Sequence, residues 1–179
     1  CLVSILPGMA QTEKLTDYVN PFVGTDGYGN VYPGAQIPFG GIQISPDTDS
    51  RFYDAASGYK YNHLTLMGFS LTHLSGTGIP DLGDFLFIPG TGEMKLEPGT
   101  HEDPDQGYRS RYSHDKEWAS PNYYAVELAD YGVKAEMTSG VRSGMFRFTY
   151  PESDNAFIMI DMNHTLWQSC EWSNLRMIN

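Results

Sequence analysis

The sequence predicts an all-β fold, an antiparallel β-sandwich. Several runs of four to seven residues alternate apolar and polar positions, and turn residues separate these runs at short and fairly even spacing. No stretch longer than ten residues combines helical periodicity with helix caps. Because each set of strands has one apolar face that must be covered, two packed sheets are the expected arrangement. A chain of 179 residues with 12 Tyr, 9 Phe and 3 Trp can bury one core.

The first ten residues, CLVSILPGMA, carry no charge and contain small residues, Gly8 and Ala10, at the −3 and −1 positions of a signal peptidase site. This predicts a signal peptide remnant at 1–10, a mature domain at 11–179 and an exported protein that is periplasmic, on the cell surface or secreted. A buried first strand is the alternative, although the run lacks alternation. Lipidation of Cys1 is the weaker alternative, because an apolar run follows the cysteine where a polar tether is expected.

The following segments predict strands in chain order. GIQIS at 41–45 places two isoleucines on one face, and LMGFSLTH at 66–73 places Met67, Phe69, Leu71 and His73 on one side. The continuous apolar runs FLFI at 85–88 and FIMI at 157–160 are typical of central strands covered on both faces.

Between these two runs, YYAVEL at 123–128 and VKAEMT at 133–138 flank a four-residue connection and predict a hairpin. The next run, MFRFTY at 145–150, alternates aromatic and polar positions. The segment at 95–110, rich in acids and prolines, predicts a solvated excursion between strands.

The C-terminal segment WQSCEWSNLRMIN has several large apolar residues and no polar tail, which predicts a sandwich that is truncated at its C-terminus. If Cys1 leaves with the signal, Cys170 has no cysteine in the mature chain with which to form a disulfide. No run reaches the roughly 18 apolar residues that a membrane span needs. The net charge of −11, from 22 acids and 11 bases, argues against nucleic-acid binding.

Glycine loops carry the first indication of function. NPFVGTDGYGNVYPGAQIPFGG at 20–41 holds six glycines, which let a backbone approach a ligand closely, and aromatic residues such as Tyr28 and Tyr32 suit the apolar face of a sugar ring. It is no phosphate loop, because Gly-Lys-Ser/Thr is absent. A glycine-rich turn between strands is the structural alternative.

A second glycine loop, HLSGTGIPDLGD at 73–84, contains His73, Ser75, Asp81 and Asp84. The two acids are more typical of a turn than of a catalytic pair. His73 is more typical of a hydrogen-bonded boundary residue than of a metal ligand, since no second His or Cys lies at ligand spacing. The calcium loop D-x-D-x-D-G and the G-x-S-x-G elbow of serine hydrolases are both absent. The residues alone therefore indicate a sandwich with a polar, aromatic, glycine-lined edge that suits carbohydrate.

Four segments, in order, resemble the N-terminal signatures of glycoside hydrolase family 92, the calcium-dependent exo-α-mannosidases. They are VNPFVGTDGYGNVYPGAQIPFGGIQISPDT, SGYKY, GFSLTHLSGTGIPDLGD and SHDKEWASPNYYAVELADYGVKAEMTSGVRSGMFRFTYP, and the similarity fades after Met162. The resemblance implies a β-sandwich that packs against an (α/α)6 barrel, with the active site at their junction. It also implies inverting hydrolysis of α-mannosides, of the α-1,2-linked N-glycan type, with calcium contacting the mannose hydroxyls.

The barrel, which in this family carries the catalytic acid, the base and most calcium contacts, is absent from this chain. The expected partners are mannose-containing glycans and the protein's own C-terminal catalytic domain, and the chain alone is expected to be inactive. No catalytic residue and no metal ligand is assigned here. A non-catalytic carbohydrate-binding module and a purely structural sandwich stay open as alternatives. The expected substrate contacts lie on the glycine loops and the SGYKY segment: His73, Ser75, Gly76, Thr77, Gly78, Asp81, Asp84, Thr25, Asp26, Tyr59 and Tyr61.

Overall fold

A computed structural model describes residues 13–50 and 55–178, so the predicted signal peptide at 1–10 lies outside the described residues. Every strand pair in it is antiparallel, which confirms the predicted all-β antiparallel fold. The ten strands are β1 Ser45–Asp47, β2 Thr65–Leu66, β3 Gly68–Ser70, β4 Leu86–Thr91, β5 Ser110–Arg111, β6 Glu117–Ser120, β7 Tyr123–Leu128, β8 Val133–Ser139, β9 Gly144–Thr149 and β10 Ala156–Asp161.

Among the described residues, short 3-10 turns occur at Leu15–Tyr18, Pro104–Gln106 and His114–Lys116. None of these described helices is long and apolar enough to cross a membrane.

Two four-stranded sheets form the two layers of the sandwich. The first has the strand order β1-β3-β4-β10, and the second is a meander in the order β6-β7-β8-β9. The meander contains the predicted hairpin, in which Tyr124 pairs with Met137. Strands β2 and β5 form a separate two-stranded ribbon.

Aromatic side chains close the space between the two sheets. The ring of Phe146 on β9 lies 6.5 Å from that of Phe69 on β3 and 4.9 Å from that of Phe87 on β4. Val126, Ala135 and their neighbours complete the same buried cluster. Burial of a side chain of this size contributes roughly 1.5–3 kcal/mol, so this cluster is the main source of stability.

A smaller cluster covers the outer face of β4. Leu86 and Ile88 pack there against Tyr108, the residue at which the excursion between β4 and β5 returns to the body of the domain. Because Phe87 faces inward, β4 is covered on both faces, as FLFI predicts. Met67 belongs to this outer cluster, so the prediction that it shares a side with Phe69 is wrong. The extended run breaks between β2 and β3 at Met67, whose N–H bonds to the Asp47 carbonyl at 2.8 Å.

The prediction that FIMI is a central strand is also wrong, because β10 is an edge strand of the described sheet. Ile158 and Ile160 are 51% and 44% exposed. Met159 packs on the outer cluster, and the ring of Phe157 lies against Tyr131. An apolar run thus indicates that both faces of a strand are apolar. It does not indicate whether the strand has a neighbour on each side in the sheet.

Candidate functional site

Three segments that the sequence singles out meet in the structure and together form what is called the rim below: the first glycine loop at 20–41, SGYKY at 57–61 and the second glycine loop at 73–84. The N–H of Tyr61 bonds to the carbonyl of Thr25 at 2.9 Å, and the N–H of Gly76 bonds to the carbonyl of Asn30 at 2.7 Å. The first glycine loop is therefore flanked by the SGYKY segment and by the second glycine loop. Backbone hydrogen bonds join the segments whose residues were expected to contact sugar.

The predicted contacts divide by exposure. Seven residues of the set are wholly or partly accessible on the loops, and an eighth, Tyr61, is 37% exposed. Thr25, Tyr59 and His73 are at most 3% exposed, so they support the rim from beneath. The seven accessible loop residues are Asp26, Ser75, Gly76, Thr77, Gly78, Asp81 and Asp84.

The two tyrosines of the first glycine loop also differ. Tyr28 is 94% exposed, whereas Tyr32 is 7% exposed and donates its hydroxyl to Gln36. Burial raises the pKa of Tyr32 to about 12. Of this pair, Tyr28 is the residue that is open to a ligand.

His73 is fixed at both ring nitrogens. Its Nδ1 lies 2.6 Å from the carbonyl oxygen of Gln43, which can only accept, so Nδ1 donates. Its Nε2 lies 2.7 Å from Asp47 Oδ1 and 3.1 Å from Ser70 Oγ. This geometry favours the hydrogen-bonded boundary role that the sequence left open for His73.

Asp47 is the centre of this buried network. Its second oxygen, Oδ2, lies 2.7 Å from Nε2 of His164, and both histidine side chains are at most 3% exposed. Burial by itself raises the pKa of the Asp47 carboxyl, but the charge and hydrogen bonds of His73 and His164 outweigh burial and hold the pKa well below its usual range. Asp47 thereby ties β1 to the segments that follow β3 and β10.

Gly58 shows how closely the SGYKY segment approaches this network. A Cβ on Gly58 would lie 2.2 Å from Asp47 Oδ1, and the residue has a φ of +83°, in the left-handed region that favours glycine. The Gly58 carbonyl accepts from the N–H of Thr48 at 2.7 Å. Glycine at this position therefore has a steric cause.

A second buried carboxylate, Glu117, supports the SGYKY segment from the other sheet. Tyr59 donates its hydroxyl to Glu117 Oε1 at 2.9 Å, and Tyr124 donates to the same oxygen at 2.6 Å. Burial, then the neighbouring Tyr112 and Glu117, raises the pKa of Tyr59 far above its usual value, and burial followed by Glu117 does the same for Tyr124. Both hydroxyls are thus held as donors.

His114 links Glu117 to the rim. Its Nδ1 lies 2.6 Å from Glu117 Oε2, and its Nε2 donates to the carbonyl of Tyr61 at 2.7 Å. The ring of Tyr61 stacks on the imidazole with 3.9 Å between centroids and 4° between planes. The half-exposed ring of Tyr61 is therefore held in one orientation.

A cleft of about 450 Å³ opens beside His164, in the size range of about 300–1,000 Å³ that is typical of small-molecule sites. Its wall combines apolar surfaces with amide, hydroxyl and carboxylate groups. Trp167 is 56% exposed, so part of a large aromatic surface is accessible there. The lining residues are Ser50, Met67, Pro98, Tyr108, Asp161, Asn163, His164, Thr165, Trp167 and Gln168.

Several residues with strained backbone lie where the DLGD turn meets the segment after β10. Leu82, Asp84, Phe85 and Trp167 all have positive φ values although none is glycine. Such conformations cost of order 1–3 kcal/mol each and persist where the surroundings enforce them. Here the N–H of Leu166 bonds to the carbonyl of Leu82 at 2.7 Å, and the N–H of Trp167 bonds to the carbonyl of Ser50 at 2.9 Å. The DLGD turn and the segment after β10 thus hold one another in place.

Most of the buried groups that support this site were missed by sequence reasoning, above all Asp47, Glu117 and His164. Asp47 and Glu117 lie inside the quoted family-like segments, so those segments were the available signal. Nothing in the sequence pointed to His164, because 117 residues separate it from Asp47.

The described residues contain no evident calcium site. No three His, Cys, Asp or Glu side chains in that part of the chain form a group that could hold a metal ion. Asp84 instead accepts from the hydroxyl of Thr72 at 2.7 Å.

Comparison with known proteins assigns the domain. Residues 18–179 match the model of the glycosyl hydrolase family 92 N-terminal domain. This match extends past Met162, so the expectation that the similarity fades there is wrong.

A curated relative and two solved structures agree with this assignment. An uncharacterized secreted glycosidase of Arthroderma benhamiae is 30% identical over 139 residues, which are 76% of this chain and 17% of the relative. The GH92 family glycosyl hydrolase CcMan5 has a TM-score of 0.71 at 31% identity. The GH92 inverting mannosidase of Bacteroides thetaiotaomicron has a TM-score of 0.66 at 27% identity. Each structural match covers 84% of this chain and 20% of the other, so the chain spans about a fifth of these relatives.

Proposed function

Because the chain belongs to the glycosyl hydrolase family 92 N-terminal domain family, we propose that it is the substrate-side domain of an exported glycosidase that releases mannose from α-mannosides. The relatives described as a secreted glycosidase and as a mannosidase support this proposal. The α-1,2-linked type of N-glycan is the proposed substrate.

The observation that best supports the proposal is that the rim combines accessible polar residues with a rigid buried base. Accessible loop residues such as Ser75, Asp81 and Asp84 sit on a base that the buried Asp47 and Glu117 networks hold rigid. Binding sites need side chains whose supports are themselves fixed by packing and hydrogen bonds. The loops are thus built to present polar groups and glycine backbone to a ligand.

The chemistry that we propose for the whole protein is inverting hydrolysis. One carboxylic acid protonates the leaving oxygen while a carboxylate activates water across a gap of roughly 6.5–9.5 Å. We assign neither role, and no calcium ligand, to this chain. In this proposal the catalytic groups, and the residues that would hold a calcium ion, belong to a partner domain that packs against the rim.

Mannose release tests the proposal directly. The full-length protein, incubated with α-1,2-mannobiose and calcium, is expected to liberate mannose, and this 179-residue chain alone is expected to liberate none above a blank. Inactivity of the full-length protein on every α-mannoside tested would refute the proposed substrate. Turnover by the chain alone would refute the division of labour between the two domains.

Substitutions in the full-length protein separate a substrate-facing rim from a merely supporting one. Asp84→Ala is expected to raise KM or lower kcat, because Asp84 is accessible on the rim. His73→Ala is expected to act mainly through stability, because His73 is buried. Unchanged kinetic constants in a normally folded Asp84→Ala protein would favour the purely structural role.

A further inference from the structure

The cleft beside His164 has a composition that suits one sugar ring. Trp167, which is 56% exposed, supplies aromatic surface, and Asp161, Asn163 and Gln168 supply hydrogen-bonding groups. Mostly apolar walls with a few placed polar groups are the usual makeup of small-molecule sites. A pyranose ring presents the matching pair of surfaces, apolar C–H faces and a hydroxyl edge.

A carboxylate lines the cleft. Among the described residues of the lining, Asp161 is the one acid, and the imidazole of His164 is paired with Asp47. A carboxylate accepts strongly from hydroxyl groups and repels phosphate or carboxylate ligands. Its Oδ1 already accepts from the N–H of Asn163 at 2.8 Å, which fixes the carboxylate in place.

The cleft wall is also held rigidly. His164 is bound to the buried Asp47, and the backbone of Trp167 is bound to Ser50. The side chain of Thr165 donates to the carbonyl of Gln168 at 2.5 Å. Because these contacts set the wall before any ligand arrives, little ordering is needed on binding.

We propose that this cleft is a monosaccharide-binding subsite formed by this chain alone, with Trp167 as the apolar platform for a neutral pyranose. The inference deepens the proposed function and rests on it for the choice of a mannoside as the ligand. It adds a site that lies on the segment after β10, outside the two glycine loops. Trp167 and Gln168 are binding residues in this proposal, and His164 is a positioning residue.

NMR of the tryptophan indole N–H signals provides the test. The chain has three tryptophans, and Trp118 on β6 is a matched control, since it is 46% exposed and does not line the cleft. Titration with methyl α-mannopyranoside is expected to move the Trp167 signal in a saturable way and to leave the Trp118 signal unchanged. Trp167→Ala is expected to weaken binding, followed on the ligand signals, by at least about tenfold, or about 1.4 kcal/mol. Trp118→Ala is expected to leave it unchanged.

Gln168→Ala is a second variant at an exposed position, and it is expected to weaken binding about threefold without disturbing the fold. A well-dispersed spectrum in which Trp167 does not respond up to about 100 mM glycoside, a hundred times the ~1 mM scale of weak binding, would overturn the subsite. A shift of the Trp118 signal as large as that of Trp167 would also overturn the subsite. If the full-length protein still releases mannose in that case, only the subsite fails. If the cleft binds mannoside but the full-length protein is inactive, only the proposed function fails.

Discussion

Replacement of Asp47 by alanine tests the idea that a buried carboxylate holds the rim together. Asp47 accepts from two histidines at 2.7 Å each, and its own side chain is fully buried. Removing one partner of such a buried arrangement costs about 3–5 kcal/mol, because the remaining polar groups lose their partner and stay out of water. That is a large part of the total stability of about 5–15 kcal/mol that is usual for a domain.

Urea unfolding followed by circular dichroism measures this effect. With a denaturant slope of about 2 kcal/mol per molar, a loss of about 4 kcal/mol lowers the midpoint by about 2 M. Asp47→Asn is expected to lower the urea midpoint less than Asp47→Ala, because the amide oxygen can still accept a hydrogen bond from one histidine. The matched control is Asp105→Ala, since Asp105 is 74% exposed and pairs with Arg111 at 2.8 Å on the surface. A midpoint that moves no further in Asp47→Ala than in Asp105→Ala would refute the reasoning.

Three further predictions concern the supports of the rim. Gly58→Ala is expected to lower the melting temperature and to reduce the free energy of unfolding by at least about 2 kcal/mol. Alanine is strained at this positive φ, and its Cβ would clash with the carboxylate oxygen of Asp47. Glu117→Gln is expected to lower the free energy of unfolding in urea by about 1–3 kcal/mol, because the hydroxyls of Tyr59 and Tyr124 lose their charged acceptor and the amide replaces the oxygen that His114 contacts. Glu127→Gln on the surface should change it little, and equal effects of the two substitutions would contradict this prediction. Stability is expected to fall as pH drops from about 5 to about 2. The pKa of Asp47 is depressed, and hydrogen bonds from an arginine and a tyrosine lower that of Glu136 to about 2, so their contribution is complete above the unfolded pKa values near 4 and is lost below them. A flat pH profile of urea midpoints, or an equally steep one in Asp47→Asn, would exclude this origin.

Local patterns in the sequence were sufficient for the fold class and for most strands. The alternation in 145–150 placed Phe146 and Phe148 on the inner face, and the hairpin of β7 and β8 followed from its flanking strands and four-residue connection. The same patterns failed for β10, because periodicity describes the faces of a strand and carries no information about its neighbours. They failed at Met67 because this residue lies between the two short strands β2 and β3 and belongs to neither, so the alternation of side chains is interrupted there.

The support of the candidate site could not be predicted in the same way. Tyr59 and Glu117 are 58 residues apart, and Asp47 and His164 are 117 apart, so only the tertiary fold brings each pair together. Asp47 has an ordinary local context of Ser, Pro and Thr that suits a turn. The sequence therefore indicated where the accessible loop residues lie, while the buried groups that hold those loops depend on the packing of the two sheets.

The buried network gives a physical reason why separate short motifs occur together in this chain. SPDT supplies Asp47, SGYKY supplies the glycine that leaves room for its carboxylate, and HLSGTG begins with the histidine that the carboxylate binds. A change in one of these motifs alone leaves the other two with a clash or an unpaired buried group. Such a network is expected to show energetic coupling: the combined cost of Asp47→Ala and His73→Ala should fall short of the sum of the single costs by more than about 0.5 kcal/mol. Additive costs in this double-mutant cycle would mean that the motifs stabilise the rim independently.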